Sequence, residues 1–241
     1  MRAFAKSDIG KAREMNQDYY YISKDQDPIQ IFILADGMGG YNGGEIASKL
    51  ATSAALNYIQ SNFETISKEK EDILKLVKSS MEYANMVVYE KSNEDKNLEG
   101  MGTTLEVCLI YNNKVYIGHV GDSRVYRIRK DFIRKITHDH SYVEKLVKDG
   151  TITKEEANHH PKKNMLMKAL GCRAFVEPDV TVKGFIKDDT ILMCSDGLTN
   201  MVDEKEIYEL IKENYMIATE KLIQKANENG GYDNITAIVI H

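Results

Sequence analysis

The sequence is poor in the residues that punctuate or cross-link a chain: of 241 residues, three are proline and three are cysteine. With no Pro-, Gly- or Ser-rich linker and no repeat period, residues 1–241 read as a single domain rather than two. Cys108, Cys172 and Cys194 are odd in number and widely spaced, which excludes a CxxC redox pair or zinc knuckle and leaves reduced packing thiols. Long apolar runs are also missing. The most apolar short stretch, Ile31-Phe-Ile-Leu-Ala35, falls far below the roughly 20 residues of a membrane helix. Met1-Arg-Ala-Phe-Ala-Lys6 has no signal-peptide apolar region, so a cytoplasmic protein without membrane association is expected. Nor is there a basic excess: 32 Lys and Arg, spread along the chain, stand against 37 Asp and Glu for a net charge of -5. Nucleic acid is therefore not the expected partner.

What the chain does have is two kinds of periodicity. Apolar or period-two runs predict strands at about 2–7, 19–23, 30–35, 103–111, 114–120, 124–129, 179–185, 190–195 and 235–240. Asn112-Asn113 and Lys130-Asp131 are plausible hairpin turns. Two helical stretches follow the third strand, one carrying Ile46, Leu50, Ala54 and Tyr58, the next Ile73, Leu76, Val77, Met81, Ala84 and Val88 on one face. Two more are predicted over about 203–212 and 218–227. Strands and helices come in blocks, which predicts an α+β fold with antiparallel sheets beneath helices. Between Asp139 and Gly171 the pattern changes to short helices with capping boxes at Ser141-Tyr-Val-Glu144 and Thr153-Lys-Glu-Glu156. This reads as an inserted subdomain, a candidate lid or recognition flap.

Several aspartates stand where an apolar run meets a glycine: Ile31-Phe-Ile-Leu-Ala-Asp36-Gly37, Val120-Gly-Asp122, Leu192-Met-Cys-Ser-Asp196-Gly197 and Gly230-Gly-Tyr-Asp233. Asp18 opens another strand in Asn16-Gln-Asp18. Taken singly, each is an ordinary turn residue. As a set at strand ends they can meet at one sheet edge, where like charges about 4 Å apart repel by roughly 4 kcal/mol at an effective dielectric near about 20. Bound cations offset that repulsion. Oxygen donors without a convincing His or Cys set favour hard ions, Mg²⁺ or Mn²⁺.

Seven segments in order carry a resemblance: Ser7-Asp-Ile-Gly-Lys-Ala-Arg13-Glu-Met-Asn16-Gln-Asp18, Asp36-Gly-Met-Gly-Gly40, Gly43-Gly-Glu45, Gly100-Met-Gly-Thr-Thr104, Gly121-Asp-Ser-Arg124, Ser195-Asp-Gly197 and Asp233-Asn234. Together they resemble the bacterial metal-dependent protein phosphatases of type 2C (the PPM family) across essentially the whole chain. The resemblance implies a four-layer α-β-β-α sandwich with two antiparallel sheets and a metal centre between them at one edge. It implies that Asp36 bridges two Mn²⁺ or Mg²⁺ ions, that Gly37 offers its carbonyl to one, and that Asp196 and Asp233 complete the primary pair. Asp122 with Asp196 would hold a third, weaker ion next to the flap. Asp18 would hydrogen-bond metal-bound water, with Asn234 supporting the same network. Arg13 would grip the phosphate oxygens bidentately. A water shared by two divalent ions ionises near neutral pH, so the expected reaction is hydrolysis of phosphoserine and phosphothreonine in proteins without a protein nucleophile. Phosphorylated proteins, a bacterial Ser/Thr kinase among them, are the implied partners, and a monomer is expected.

The sequence departs from the family at Met38, where eukaryotic relatives carry histidine, and at Tyr41, where many bacterial relatives do. The proton donor for the leaving group therefore stays open. His119 reads as a core histidine by strand alternation, His160 in the flap is the best remaining candidate, and a metal-bound water is an alternative acid. The glycine-rich Asp36–Gly44 stretch lacks the GxxxxGK[ST] lysine of a nucleotide loop. A haloacid-dehalogenase site fails because Cys194 stands where the nucleophilic aspartate belongs. A phosphopeptide-binding pseudoenzyme and a two-metal phosphohydrolase acting on nucleotides or nucleic acid remain as alternatives, the acidic balance arguing against polyanions but not against small phosphate esters.

Overall fold

The structure, a computed structural model, describes residues 1–39 and 43–241. Gly40 and Tyr41, the latter one of the two family departures, lie outside the described residues. The chain opens with strands β1 (Ala3–Asp8), β2 (Asp18–Ile22) and β3 (Gln30–Met38), followed by helices α1 (Gly43–Asn62) and α2 (Lys70–Glu94). Next come β4 (Gly102–Thr103), β5 (Leu105–Tyr111), β6 (Lys114–Val120), β7 (Arg124–Arg129) and β8 (Phe132–Lys135). The flap contributes α3 (Tyr142–Lys148) and α4 (Lys154–His159). The chain then runs through β9 (Asp179–Gly184), β10 (Thr190–Cys194), α5 (Asp196–Thr199), α6 (Glu204–Glu213), α7 (Ala218–Glu228) and β11 (Ile235–Ile240).

Two antiparallel sheets result, one ordered β1-β11-β10-β7-β8, the other β2-β3-β5-β6-β9 with β4 beside β3. Strand β3 shows why they stack. Its alternate residues Ile31, Ile33 and Ala35 pack with Ile59 of α1 and Ile73, Val77 and Met81 of α2. Phe32 and Leu34 point the other way, into a layer shared with Met193, Ile238 and Ile240 of the opposite sheet. A strand buried on both faces reads as a continuous apolar run, as this one does. On the far side, Leu192, Ala237 and Val239 meet Ile207 and Ile211 of α6 and Leu222 and Ala226 of α7. The order is therefore helix, sheet, sheet, helix, the four-layer α+β sandwich expected.

The elements differ from expectation in instructive places. Strand β3 does not stop at Ala35 but continues to Met38 because β4 pairs with Gly37 and Met38. The run over 103–111 is split between β4 and β5, with Thr104 outside the strands at the break. Short, charged β8 follows Lys130, whose φ of 52° makes the hairpin turn. Asn112 and Asn113 both have positive φ, as a two-residue hairpin turn of this twist requires. Cys108 and Cys194 are buried packing thiols, but Cys172 is exposed. In the flap, Ser141 and Thr153 cap α3 and α4 as predicted, Thr153 with the reciprocal Glu156 bond. Asn85 of α2 holds the flap's return, accepting from the Gly171 amide at 2.9 Å and donating to the carbonyls of Arg173 and Ala174.

Ile33→Ala empties a site shared by β3 and the α1/α2 layer and is expected to lower the unfolding free energy in urea by about 2–5 kcal/mol. Phe132→Ala, at a side chain 75% exposed, should shift it by less than about 0.5 kcal/mol. Equal effects would contradict the layer assignment.

Candidate functional site

Antiparallel pairing decides which residues can meet. It carries the start of β2, the end of β3, the start of β5 and the end of β6 to one edge of their sheet. In the other sheet it brings the end of β1, the start of β11, the end of β10 and the start of β7 to one edge. Every aspartate singled out from sequence lies at one of these positions. Asp18 pairs directly opposite Asp36 in the β2–β3 register. Asp122 sits in the β6–β7 turn, Asp196 opens α5 straight after β10, and Asp233 precedes β11.

The two edges are joined by a cross-sheet staple. Asp18, buried, accepts through Oδ2 from Ser195 Oγ at 2.8 Å and Thr236 Oγ1 at 2.6 Å, both on the opposite sheet's edge. With its one hydrogen given to Asp18, Thr236 Oγ1 accepts from Ser7 Oγ at 2.7 Å, which in turn accepts from Asn16 Nδ2 at 2.8 Å. Asp18 Oδ1 is buried with no protein partner. From sequence, Ser195 stands within Ser195-Asp-Gly197 without a role, and Thr236, two residues after Asn234, is not among the candidate residues. Asn234 Oδ1 accepts from the Gln17 amide at 2.8 Å and its Nδ2 donates to the carbonyls of Ile9 and Met15. It ties down the β1–β2 loop, which carries Arg13. Close approach of backbone makes glycine obligatory beside it. A Cβ on Gly197 would strike the Asn234 carbonyl, and one on Gly37 would strike the carbonyls of Gly44 and Gln17.

Arg13 reaches the cluster, its Nη2 donating to Asp233 Oδ2 at 2.8 Å. Both side chains are substantially exposed, at 53% and 36%, and such pairs contribute only about 0–1 kcal/mol. The guanidinium is thus held near the carboxylates at little cost to its release toward a stronger anion.

Burial, then mutual repulsion, lifts the carboxyl groups. Desolvation is the largest cause for Asp36, held well above the usual carboxylate range, with Asp18, Asp196, Asp122 and Asp233 adding repulsion. Asp18 is pushed up to about 7, chiefly by burial and against its two hydroxyl bonds. Asp122 rises to about 8 by burial and the fields of Asp196 and Asp139, and Asp196 to about 6 by burial and Asp233. Among the described residues no three His, Cys, Asp or Glu side chains already enclose an ion position. The oxygens are turned to protein donors: Asp196 Oδ2 to Asn200 Nδ2 at 3.1 Å, Asp233 Oδ1 to the Asn234 amide at 2.9 Å. The donor chemistry nonetheless fits hard divalent cations, since carboxylates that repel one another and an orphaned buried oxygen on Asp18 are what such ions neutralise.

From Asp122 and Asp196 a cleft of about 910 Å³ runs between the flap and the α5–α6 segment, lined among others by Arg124, Asp139, Ser141, Lys163 and Asp203. His138 and His159 line it, whereas His160, the flap histidine favoured from sequence, caps α4 outside it and accepts from the Lys162 amide.

A family model described as protein phosphatase 2C matches residues 10–232. The chain is 37% identical over 242 residues to a serine/threonine phosphatase stp of Listeria innocua, covering 100% of this chain and 95% of that protein. Among solved structures it is similar to the serine/threonine phosphatase Stp1 of Staphylococcus aureus, at 35% identity and a TM-score of 0.89, covering 98% and 93% of the two chains. The catalytic domain of the serine/threonine protein phosphatase PstP in complex with two manganese ions is similar at 34% identity and a TM-score of 0.85, covering 99% and 96%.

With their folded pKa values raised, Asp196, Asp18 and Asp122 bind protons in the folded state that the unfolded chain has released above about pH 4. Stability in EDTA should therefore fall as pH rises from about 4 toward about 8. Saturating Mn²⁺ should flatten that decline, because ions take over the role of the protons. Melting temperatures across this range, with EDTA and with Mn²⁺, test it; a metal-free protein whose stability rises through the window would contradict the site.

Proposed function

The chain belongs to the protein phosphatase 2C family, and from that membership we propose metal-dependent hydrolysis of phosphoserine and phosphothreonine in proteins, carried out at the edge where Asp36, Asp122, Asp196 and Asp233 meet. The observation that carries the reading is this convergence of four acidic strand-end residues from two sheets, each lifted by its neighbours or paired with Arg13. Residues 1–241 serve as one catalytic domain, with the flap of about 139–171 as its inserted subdomain.

In this reading Asp36, Asp196 and Asp233 hold two ions, Mn²⁺ or Mg²⁺, with the Gly37 carbonyl contributing. Asp122 with Asp196 holds a third beside the flap. When bound, the ions make water nucleophilic at neutral pH and neutralise charge on the phosphate. Asp18 orders the water side of the site through its unpartnered Oδ1, held still by Ser195 and Thr236. Arg13 leaves Asp233 for the phosphate oxygens, where a bidentate bond to a doubly charged group outweighs an exposed ion pair. Asn234 fixes the loop from which Arg13 reaches. His138 and His159, which line the cleft, are the side-chain candidates for proton donor to the departing serine or threonine oxygen, with a metal-bound water as the alternative.

Substrates are phosphoproteins, with the targets of a Ser/Thr kinase as the natural set. Among the described residues no helix is long and apolar enough to cross a membrane; a monomer acting on cytoplasmic proteins belongs to the same proposal. Of the alternatives, a binding-only protein is disfavoured by the full carboxylate set. The net charge of -5 disfavours a phosphohydrolase of nucleic acid but not one of small phosphate esters, which the substrate comparison below separates.

Phosphate release from phosphothreonine peptides in Mn²⁺ is expected to vanish in EDTA and to fall by at least about a hundredfold in Asp36→Asn. Full activity in either case would sink the mechanism, and preferential turnover of nucleoside phosphates would favour the alternative enzyme. Arg13→Ala should lower kcat/KM by about ten- to a hundredfold, the worth of a charge-assisted hydrogen bond or two. Replacing Asp139–Gly171 with a relative's flap should change the peptide preference; an unchanged profile would contradict a recognition role.

A further inference from the structure

Strands β5 and β6 are apolar on the face between the sheets except at Glu106 and His119. These two stand directly opposite in register and are both buried. His119 Nδ1 lies 2.5 Å from Glu106 Oε1, and its Nε2 lies 2.8 Å from the carbonyl oxygen of His138. A carbonyl only accepts, so Nε2 carries a hydrogen, and one further proton lies between Oε1 and Nδ1. The pair is neutral as a whole. Burial raises the Glu106 carboxyl and lowers the His119 imidazole, which puts the shared proton on the carboxyl. A protonated acid thus donates to a neutral imidazole, which donates onward to the main chain.

The main chain it reaches is the root of the flap, and three successive residues there are bound to the framework. His138 takes the His119 bond. Asp139 accepts from Arg124 Nε and Nη2 at 3.0 and 2.7 Å and from Lys135 Nζ at 3.1 Å. The His140 amide donates to the Gly121 carbonyl at 2.7 Å, while the Gly121 amide donates to His140 Nδ1 at 3.2 Å. The His140 ring lies against that of His119, centroids 4.5 Å apart. Its Nε2 lies 3.2 Å from Asp179 Oδ2, without the alignment of a hydrogen bond. Gly121 and Arg124 bracket Asp122. The segment that starts the flap and the turn that presents Asp122 are therefore one unit, and the buried pair is its back support.

We propose that Glu106 and His119 are positioning residues for the reaction, keying the flap root onto the turn that presents Asp122. The inference rests on the reading of Asp122 as an ion ligand beside the flap. Neither side chain contacts substrate; each acts through His138 and His140. A neutral pair also predicts which substitution is tolerated. In Glu106→Gln an amide N–H still donates to Nδ1, whereas Glu106→Val leaves a buried acceptor without a donor and frees the imidazole to turn.

The test measures amide hydrogen exchange at Gly121 and His140 in metal-free protein, with phosphothreonine-peptide turnover in parallel, for the wild type and both variants. Glu106→Val should exchange about tenfold faster at both amides, with β11 unchanged, and its kcat should fall about tenfold. Glu106→Gln should stay within about twofold of the wild type in both measurements. In the wild type, ¹⁵N spectra should show His119 protonated at Nε2; an unprotonated Nε2 would overturn the arrangement even if Glu106→Val proves unstable. Wild-type exchange in Glu106→Val, a uniform rise that includes β11, or loosened amides with unchanged kcat would each overturn the positioning role. Absence of turnover in the wild type would instead overturn the phosphatase reading, and the exchange measurements would still decide whether the pair holds the flap root.

Discussion

Crowding carboxylates at the seam of two sheets is the constraint on which this architecture turns. Asp18, Asp36, Asp122 and Asp196 are each raised, beyond the effect of burial, by at least one neighbouring carboxylate, so the edge is held together against its own electrostatics. The opposing forces are local and specific. The hydroxyls of Ser195 and Thr236 cross the seam to Asp18, Asn234 ties the β1–β2 loop to the start of β11, and bare glycine backbones let the segments approach within contact. Behind them the apolar layers between sheets and beneath helices supply the cohesion that a repulsive edge cannot. A scaffold this deeply buried tolerates an unfavourable rim, and the rim is where cations are wanted.

The cationic partners differ in how firmly they are held. Arg124 is half-buried and bound by two nitrogens to Asp139, so it belongs to the frame that fixes the flap. Arg13 is exposed and rests on a single oxygen of Asp233. One arginine is built in and the other is free to move, a division that suits a permanent support and a ligand-seeking arm.

Much of this was legible in the sequence because an Asp-Gly pair at the end of an apolar run has few reasons to recur. Antiparallel sheets beneath helices, aspartates at strand ends and the caps of the flap helices follow from such local signals, whereas the four-layer order came only with the family resemblance. What was not legible depends on partners remote in the chain. That β3 runs on through Asp36 depends on Gly102 and Thr103 lying alongside. The four-residue α5 is too short to have a period, and β8 shows more charge than strand pattern. The bonds of Asn234 to Gln17, Ile9 and Met15 join segments more than 200 residues apart, which no local pattern shows. Glu106, an acid in Leu105-Glu-Val-Cys108, has the pattern of a solvent-facing alternate, and only the stacking of the sheets turns that face inward.

The pairing of β1 with β11 has a temporal side. A chain emerging from the ribosome N-terminus first can complete the β2–β3–β5–β6–β9 sheet while Asp233, Asn234 and Thr236 are still unmade. Until β11 slots between β1 and β10, Asp18 lacks one of its two hydroxyl donors, the Arg13 loop lacks its anchor and the acidic rim is incomplete. The acidic edge is thus completed only when β11 joins its sheet, and a chain that still lacks this strand presents Asp18, Asp36 and Asp122 without Asp233.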